Sequence, residues 1–123
     1  MEETFGKFIR TKRLERGLTL RGLAARLDLS PVYMSNIETD RRAAPTQEHL
    51  DRLAAELSLS KEERERMLDL AAKSKTQQVS ADLPDYIMER DIVRAALRTA
   101  KEVDATDEEW QEFIDRLTKR NLK

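Results

Sequence analysis

The sequence predicts an all-α protein, with five short helices in residues 1–73 and a small helical segment after them. Three observations carry this. Charged residues (38%) and hydrophobic residues (39%) are nearly balanced while aromatics are only 5% and Gly and Pro number three each, a composition suited to amphipathic helices rather than a sheet. Apolar residues recur at i, i+3, i+4 and i+7. Residues that cap and stop helices punctuate the chain at short intervals. The 123 residues suit one ordinary domain, or a minimal domain plus an appendage.

The first helix is expected from about Thr4 to Arg16, capped by Thr4, with Phe5, Phe8 and Ile9 on one face and Gly17 as its stop. Thr19 precedes the second, whose apolar residues Leu20, Leu23, Ala24 and Leu27 form one stripe. Asp28-Leu29 ends it. Ser30-Pro31 opens the third, because Ser is a strong N-cap and Pro at the first helical position gives up an N–H that has no helical acceptor. Met34 and Ile37 point one way, and Val32, Ser35, Asn36 and Thr39 are left to other faces. A fourth helix follows Pro45-Thr46 with Leu50, Leu53, Ala54 and Leu57 inward. Ser60-Lys61-Glu62-Glu63 is a capping box for a fifth, which carries Met67, Leu68, Leu70 and Ala71.

Residues 74–82 are polar and aperiodic and are expected to be a linker. From 83 to 123 a C-terminal helical segment follows. Leu83-Pro84 introduces a helix with Tyr86, Ile87, Val93, Ala96, Leu97 and Ala100 at helical spacing and room for a break near Asp91. Thr106-Asp107-Glu108-Glu109 is a second capping box, before a stripe of Trp110, Phe113, Ile114 and Leu117. These helices cannot bury both stripes by themselves, so Tyr86, Ile87, Val93, Leu97, Trp110, Phe113, Ile114 and Leu117 are expected to pack against a second copy of the chain, the alternatives being the head's own core or another protein.

The formal net charge is −1, but its distribution is uneven. Residues 1–45 hold nine Lys/Arg against six Asp/Glu, and residues 76–123 hold eight against eleven. A mildly basic head and an acidic tail confine any contact with a polyanion to the head. The absence of Cys removes disulfides, thiolate metal sites and cysteine nucleophiles, and is compatible with a reducing cytosol. The start Met1-Glu2-Glu3-Thr4 is acidic where a secretory signal would be basic, and no apolar run is long enough to span a bilayer. A cytoplasmic protein without membrane contact is therefore expected. With a single His at 49, no Gly-rich phosphate loop and no metal-ligand spacing, neither catalysis nor a cofactor is expected, and His49 reads as an exposed helix residue.

Helices two and three, joined by about three turn residues, form an αα unit whose second member can enter a DNA major groove. Here the residues resemble a known family, the Cro/cI-like or XRE helix-turn-helix regulators. The stretches Gly17-Leu18-Thr19-Leu20-Arg21-Gly22-Leu23-Ala24 and Leu29-Ser30-Pro31-Val32-Tyr33-Met34-Ser35-Asn36-Ile37-Glu38 are similar to that family's signature, and Arg41-Arg42 and Pro45 fall in its post-recognition loop. The resemblance covers about residues 5–73 and implies a five-helix, lambda-repressor-like DNA-binding head. It also implies a structural ion pair between Arg13 and Glu38. Three positions depart from the pattern. Leu20 stands where many relatives carry a phosphate-binding Gln, Asp28 replaces a turn Gly, and Lys12 replaces an apolar residue, for which a shift of the buried face toward Leu14 would compensate. Asp tolerates the left-handed conformation the turn needs.

On this reading Pro31, Val32, Ser35 and Asn36 contact bases. Asn36 can bond adenine N6 and N7 bidentately, Ser35 can bond a base or phosphate, and Pro31 and Val32 can meet thymine methyls. Phosphate contacts are expected from Arg21, Ser30, Tyr33, Arg41 and Arg42. Two bland alternatives stand beside these: Val32 and Tyr33 packed partly into the core, and Arg41-Arg42 as a solvated loop. The expected function is a sequence-specific double-stranded DNA-binding repressor acting on a palindrome as a homodimer. The alternative implied by the resemblance is an antitoxin that binds its toxin through the C-terminal helices; a phage-type repressor released by a protease partner is a further one.

Overall fold

The computed structural model describes residues 2–75 and 79–121, which contain eight helices and no strand. In chain order these are α1 (Phe5–Glu15), α2 (Leu20–Arg26), α3 (Pro31–Glu38), α4 (Gln47–Glu56), α5 (Lys61–Lys73), α6 (Pro84–Glu89), α7 (Asp91–Glu102) and α8 (Asp107–Asn121). They fall into two compact units, Met1–Pro84 and Asp85–Lys123. No helix among the described residues is long and apolar enough to cross a membrane.

In the first unit the caps that punctuate the sequence do the expected chemistry. Thr4, Thr19 and Ser30 accept hydrogen bonds from the backbone N–H groups of Lys7, Gly22 and Tyr33, each satisfying a donor that has no partner within its helix. Ser60 and Glu63 form the reciprocal box that starts α5. The apolar stripes of α1 to α5 then meet in one core of Phe5, Phe8, Ile9, Leu23, Leu27, Met34, Ile37, Leu50, Leu53, Leu57, Met67 and Leu68, among others. Its burial supplies the main driving force for folding the head.

One expectation about α1 is corrected. Leu14 does not take over from Lys12, since it remains 58% exposed. The buried arc of α1 is fixed by Phe5, Gly6, Phe8, Ile9 and Arg13, and Leu14 falls on the solvent flank of that arc. Lys12 is accommodated instead as a charge, 2.7 Å from Glu63 and 3.2 Å from Glu15, with its ammonium 5.5 Å from the centroid of the Phe8 ring. Hydrogen bonding to Glu63 raises the Lys12 pKa above its ordinary value. Glu63 is lowered to about 2, first by the Lys12 hydrogen bond and then by the Ser60 N–H.

Because this carboxyl titrates lower in the folded chain than in the unfolded one, its contribution is complete above the ordinary carboxylate pKa of about 4.3. It is lost as the pH falls through that value toward about 2. Glu63→Gln should therefore lower the thermal midpoint near neutral pH, and the gap to the unsubstituted chain should close in acid. Melting curves followed by circular dichroism across that range test this; a gap independent of pH would exclude the charge on Glu63 as its source.

Residues 74–82, expected as a linker, are partly attached to the head. The Ser74 hydroxyl accepts the Ala44 N–H at 3.1 Å and donates to the Ala71 carbonyl, and Ser80 is buried with its hydroxyl donating to Asp69. Thr76, Gln77 and Gln78 lie outside the described residues.

In the second unit α6 ends at Glu89, and α7 starts after Arg90, where the sequence left room for a break. Arg94 joins the two by donating to the carbonyls of Ile87 and Met88. Asp104, at φ +54, turns the chain toward α8, which starts with the Thr106–Glu109 box. Trp110 meets Phe113 edge to face with centroids 6.1 Å apart. No described side chain of this unit is fully buried, and Tyr86, Leu97, Phe113, Ile114 and Leu117 are exposed.

Candidate nucleic-acid interface

The candidate interface centres on α3, and the turn before it sets how α3 is presented. Asp28 adopts φ +57, the left-handed conformation that Asp tolerates better than most residues. The Leu29 N–H returns to the Ala24 carbonyl at 2.9 Å. From α4, Arg52 reaches across to the carbonyl of Arg26 at 2.6 Å and to the Asp28 carboxylate at 3.3 Å. Arg52 thus ties down the end of α2, a role without a signal in the sequence.

Met34, Ile37 and Glu38 bury one side of α3. Arg13 Nε and Nη2 grip the two Glu38 carboxylate oxygens at 2.8 and 3.0 Å, and Nη1 donates to the Leu18 carbonyl at 3.0 Å. This buried bidentate pair joins α1 to the far end of α3. The hydrogen bond to Glu38 pushes the Arg13 pKa above its ordinary value.

The opposite side of α3 is open. Val32 is 72% exposed, and Pro31, Ser35 and Asn36 are half-buried. Among the described residues the side chains of Ser35 and Asn36 make no hydrogen bond, although their backbone carbonyls accept from Thr39, Arg41 and Arg42. The Asn36 amide therefore keeps the donor and acceptor that bidentate adenine contact requires. At the helix start the Ser30 hydroxyl accepts the Tyr33 N–H at 3.1 Å and retains its proton to donate. Tyr33 packs partly against the core with the Arg42 guanidinium 5.4 Å from its ring centroid.

After α3, Asp40 takes φ +62 and the Arg41 and Arg42 N–H groups both return to the Asn36 carbonyl, at 2.9 and 3.1 Å. The carboxylate of Asp40 accepts from the Thr4 hydroxyl at 2.5 Å and from the Gly6 N–H at 3.0 Å. The loop carrying the two arginines is thus fastened to the start of α1.

Ion pairing sorts the cations of the head. Arg16, Arg26, Arg52, Arg64 and Arg66 each lie within 4 Å of a carboxylate. Among the described residues, Arg21, Arg41 and Arg42 have no such partner and are exposed, as are Lys7 and Arg10, which sequence reasoning had not singled out. An unpaired, hydrated cation is free to exchange counterions for phosphate.

A family model described as a helix-turn-helix domain matches residues 4–67, just over half of the chain. The chain belongs to this helix-turn-helix domain family. The match spans α1 to α4 and the start of α5, and it agrees with the regulator family that the residues resemble. No curated protein matches. Among solved structures, the complex of SinR protein with SinI protein is similar, at 21% identity over 98% of this chain and 100% of that one, with a TM-score of 0.49.

Proposed function

We propose that this helix-turn-helix protein is a transcriptional repressor that reads a palindromic operator in double-stranded DNA as a homodimer. The carrying observation is the two-sided character of α3: one side is fixed to the core and to Arg13, and the other offers Val32, Ser35 and an Asn36 amide with free hydrogen-bonding capacity. Pro31, Val32, Ser35 and Asn36 read bases; Arg21, Ser30, Tyr33, Arg41 and Arg42 hold phosphates. Tyr33 also braces Arg42 through its ring. The exposed apolar face of α7 and α8 supports the dimer, which would space the two copies of α3 by about one DNA turn, ~34 Å.

Selection of bound duplexes from a random library tests the reading. Asn36→Ala should relax preference at one base pair at a cost of about 1–3 kcal/mol, whereas Arg42→Ala should weaken all sequences alike and reduce the salt slope by about one. Equal loss of sequence preference in both variants would refute the contact map. Light scattering at tens of micromolar should report a dimer. A folded monomer would instead direct the apolar face to the head's own surface or to another protein, such as a toxin or a protease.

A further inference from the structure

The chain between the two units is attached to the head farther along than the end of α5. Ser74 caps α5. Ser80 then returns to the surface of α5, where its side chain is buried and its hydroxyl donates to the Asp69 carboxylate. The Leu83 N–H closes a turn on the Ser80 carbonyl at 3.1 Å, and α6 starts at Pro84.

Chain length gives this contact a consequence. With Ser80 held, only Ala81, Asp82 and Leu83 separate the head from α6, a reach of at most about 10 Å. With Ser80 free, residues 75–83 would all be tether, with a reach of about 30 Å. In a homodimer joined through residues 83–123, releasing both copies adds about 40 Å of freedom, which exceeds the ~34 Å of one DNA turn. We propose that the Ser80–Asp69 contact is a spacing determinant, limiting which separations of two operator half-sites a dimer can engage at once. This rests on the dimer reading above.

The experiment uses the full chain and duplexes carrying two inverted copies of the selected half-site, with their separation increased one base pair at a time over two helical turns. The unsubstituted chain should show one sharp optimum, losing about a hundredfold in affinity one turn away as simultaneous engagement fails. Ser80→Ala and Asp69→Ala should bind a single half-site as before and lose only about fivefold at the optimum, because effective concentration falls gently with tether length. Their profiles should be flattened so that one extra turn costs less than about tenfold. Ser80→Thr, which keeps the hydroxyl, should restore the sharp profile. A dimeric unsubstituted chain with a sharp optimum that both alanine variants retain would overturn the inference and leave the dimer reading intact. A monomeric chain would overturn both.

Discussion

Glu38→Ala is expected to destabilise the head by about 3–5 kcal/mol, because it strands a buried guanidinium. Arg13 is 8% exposed and Glu38 6%, so water cannot replace the lost carboxylate. Two of the three hydrogen bonds that the Arg13 guanidinium makes go to Glu38. The loss is large against the roughly 5–15 kcal/mol available to a whole domain. Arg13→Ala should cost a similar amount by leaving the carboxylate unpaired. Replacing both charges together, as Arg13→Met with Glu38→Leu, should cost clearly less than either alanine variant, because two desolvation penalties vanish along with their mutual attraction. Urea unfolding of the four proteins measures this. Single variants within about 1 kcal/mol of the unsubstituted chain would show the pair to be solvated and expendable. The double variant separates structure from recognition, since a strut can be replaced by apolar packing without changing the preferred DNA sequence.

Helix order and caps were legible in the sequence because their determinants are local. Thr4, Thr19, Ser30 and Ser60 each lie within four residues of the N–H they cap, and the apolar periodicity that follows each is just as short-ranged. The left-handed turn at Asp28 is similarly a property of one residue and its neighbours. The unread part consists of contacts between residues far apart in sequence that carry no pattern. Arg16 bonds the Leu57 carbonyl at the end of α4, Arg52 bonds the carbonyls that end α2, Asp40 fastens the start of α1, and Ser80 fastens to Asp69. Each looks like an ordinary surface polar residue until the fold supplies its partner. The same gap limited the interface. Nine cations in residues 1–45 are equivalent as a charge count, and only the geometry separates those paired to acids from those available to phosphate.

Gly6→Ala is expected to be the most disruptive way of adding a single methyl group to the head. A Cβ at Gly6 would lie 2.5 Å from the Ile37 carbonyl oxygen, 2.6 Å from that of Glu38 and 2.7 Å from Asp40 Oδ1. The first two are backbone atoms at the end of α3 and cannot swing aside. Asp40 is itself held by the Gly6 N–H and the Thr4 hydroxyl. Relief therefore requires α1 to move away from α3, at a cost of about 1–3 kcal/mol for overpacking. This outweighs the gain of up to about 1 kcal/mol that Ala brings over Gly in a helix. The displacement falls beside the loop whose Arg41 and Arg42 N–H groups rest on the Asn36 carbonyl, so affinity should drop for all DNA sequences alike rather than at one base pair. Gly22→Ala provides the comparison. Its Cβ would meet only the Thr19 hydroxyl, at 2.9 Å, a side-chain atom that can rotate away at the expense of one cap, so this variant should lie within about 1 kcal/mol of the unsubstituted chain. Parallel urea titrations and DNA binding curves distinguish the two sites, and equal losses at Gly6 and Gly22 would refute a specific role for the α1–α3 approach in holding the arginine loop.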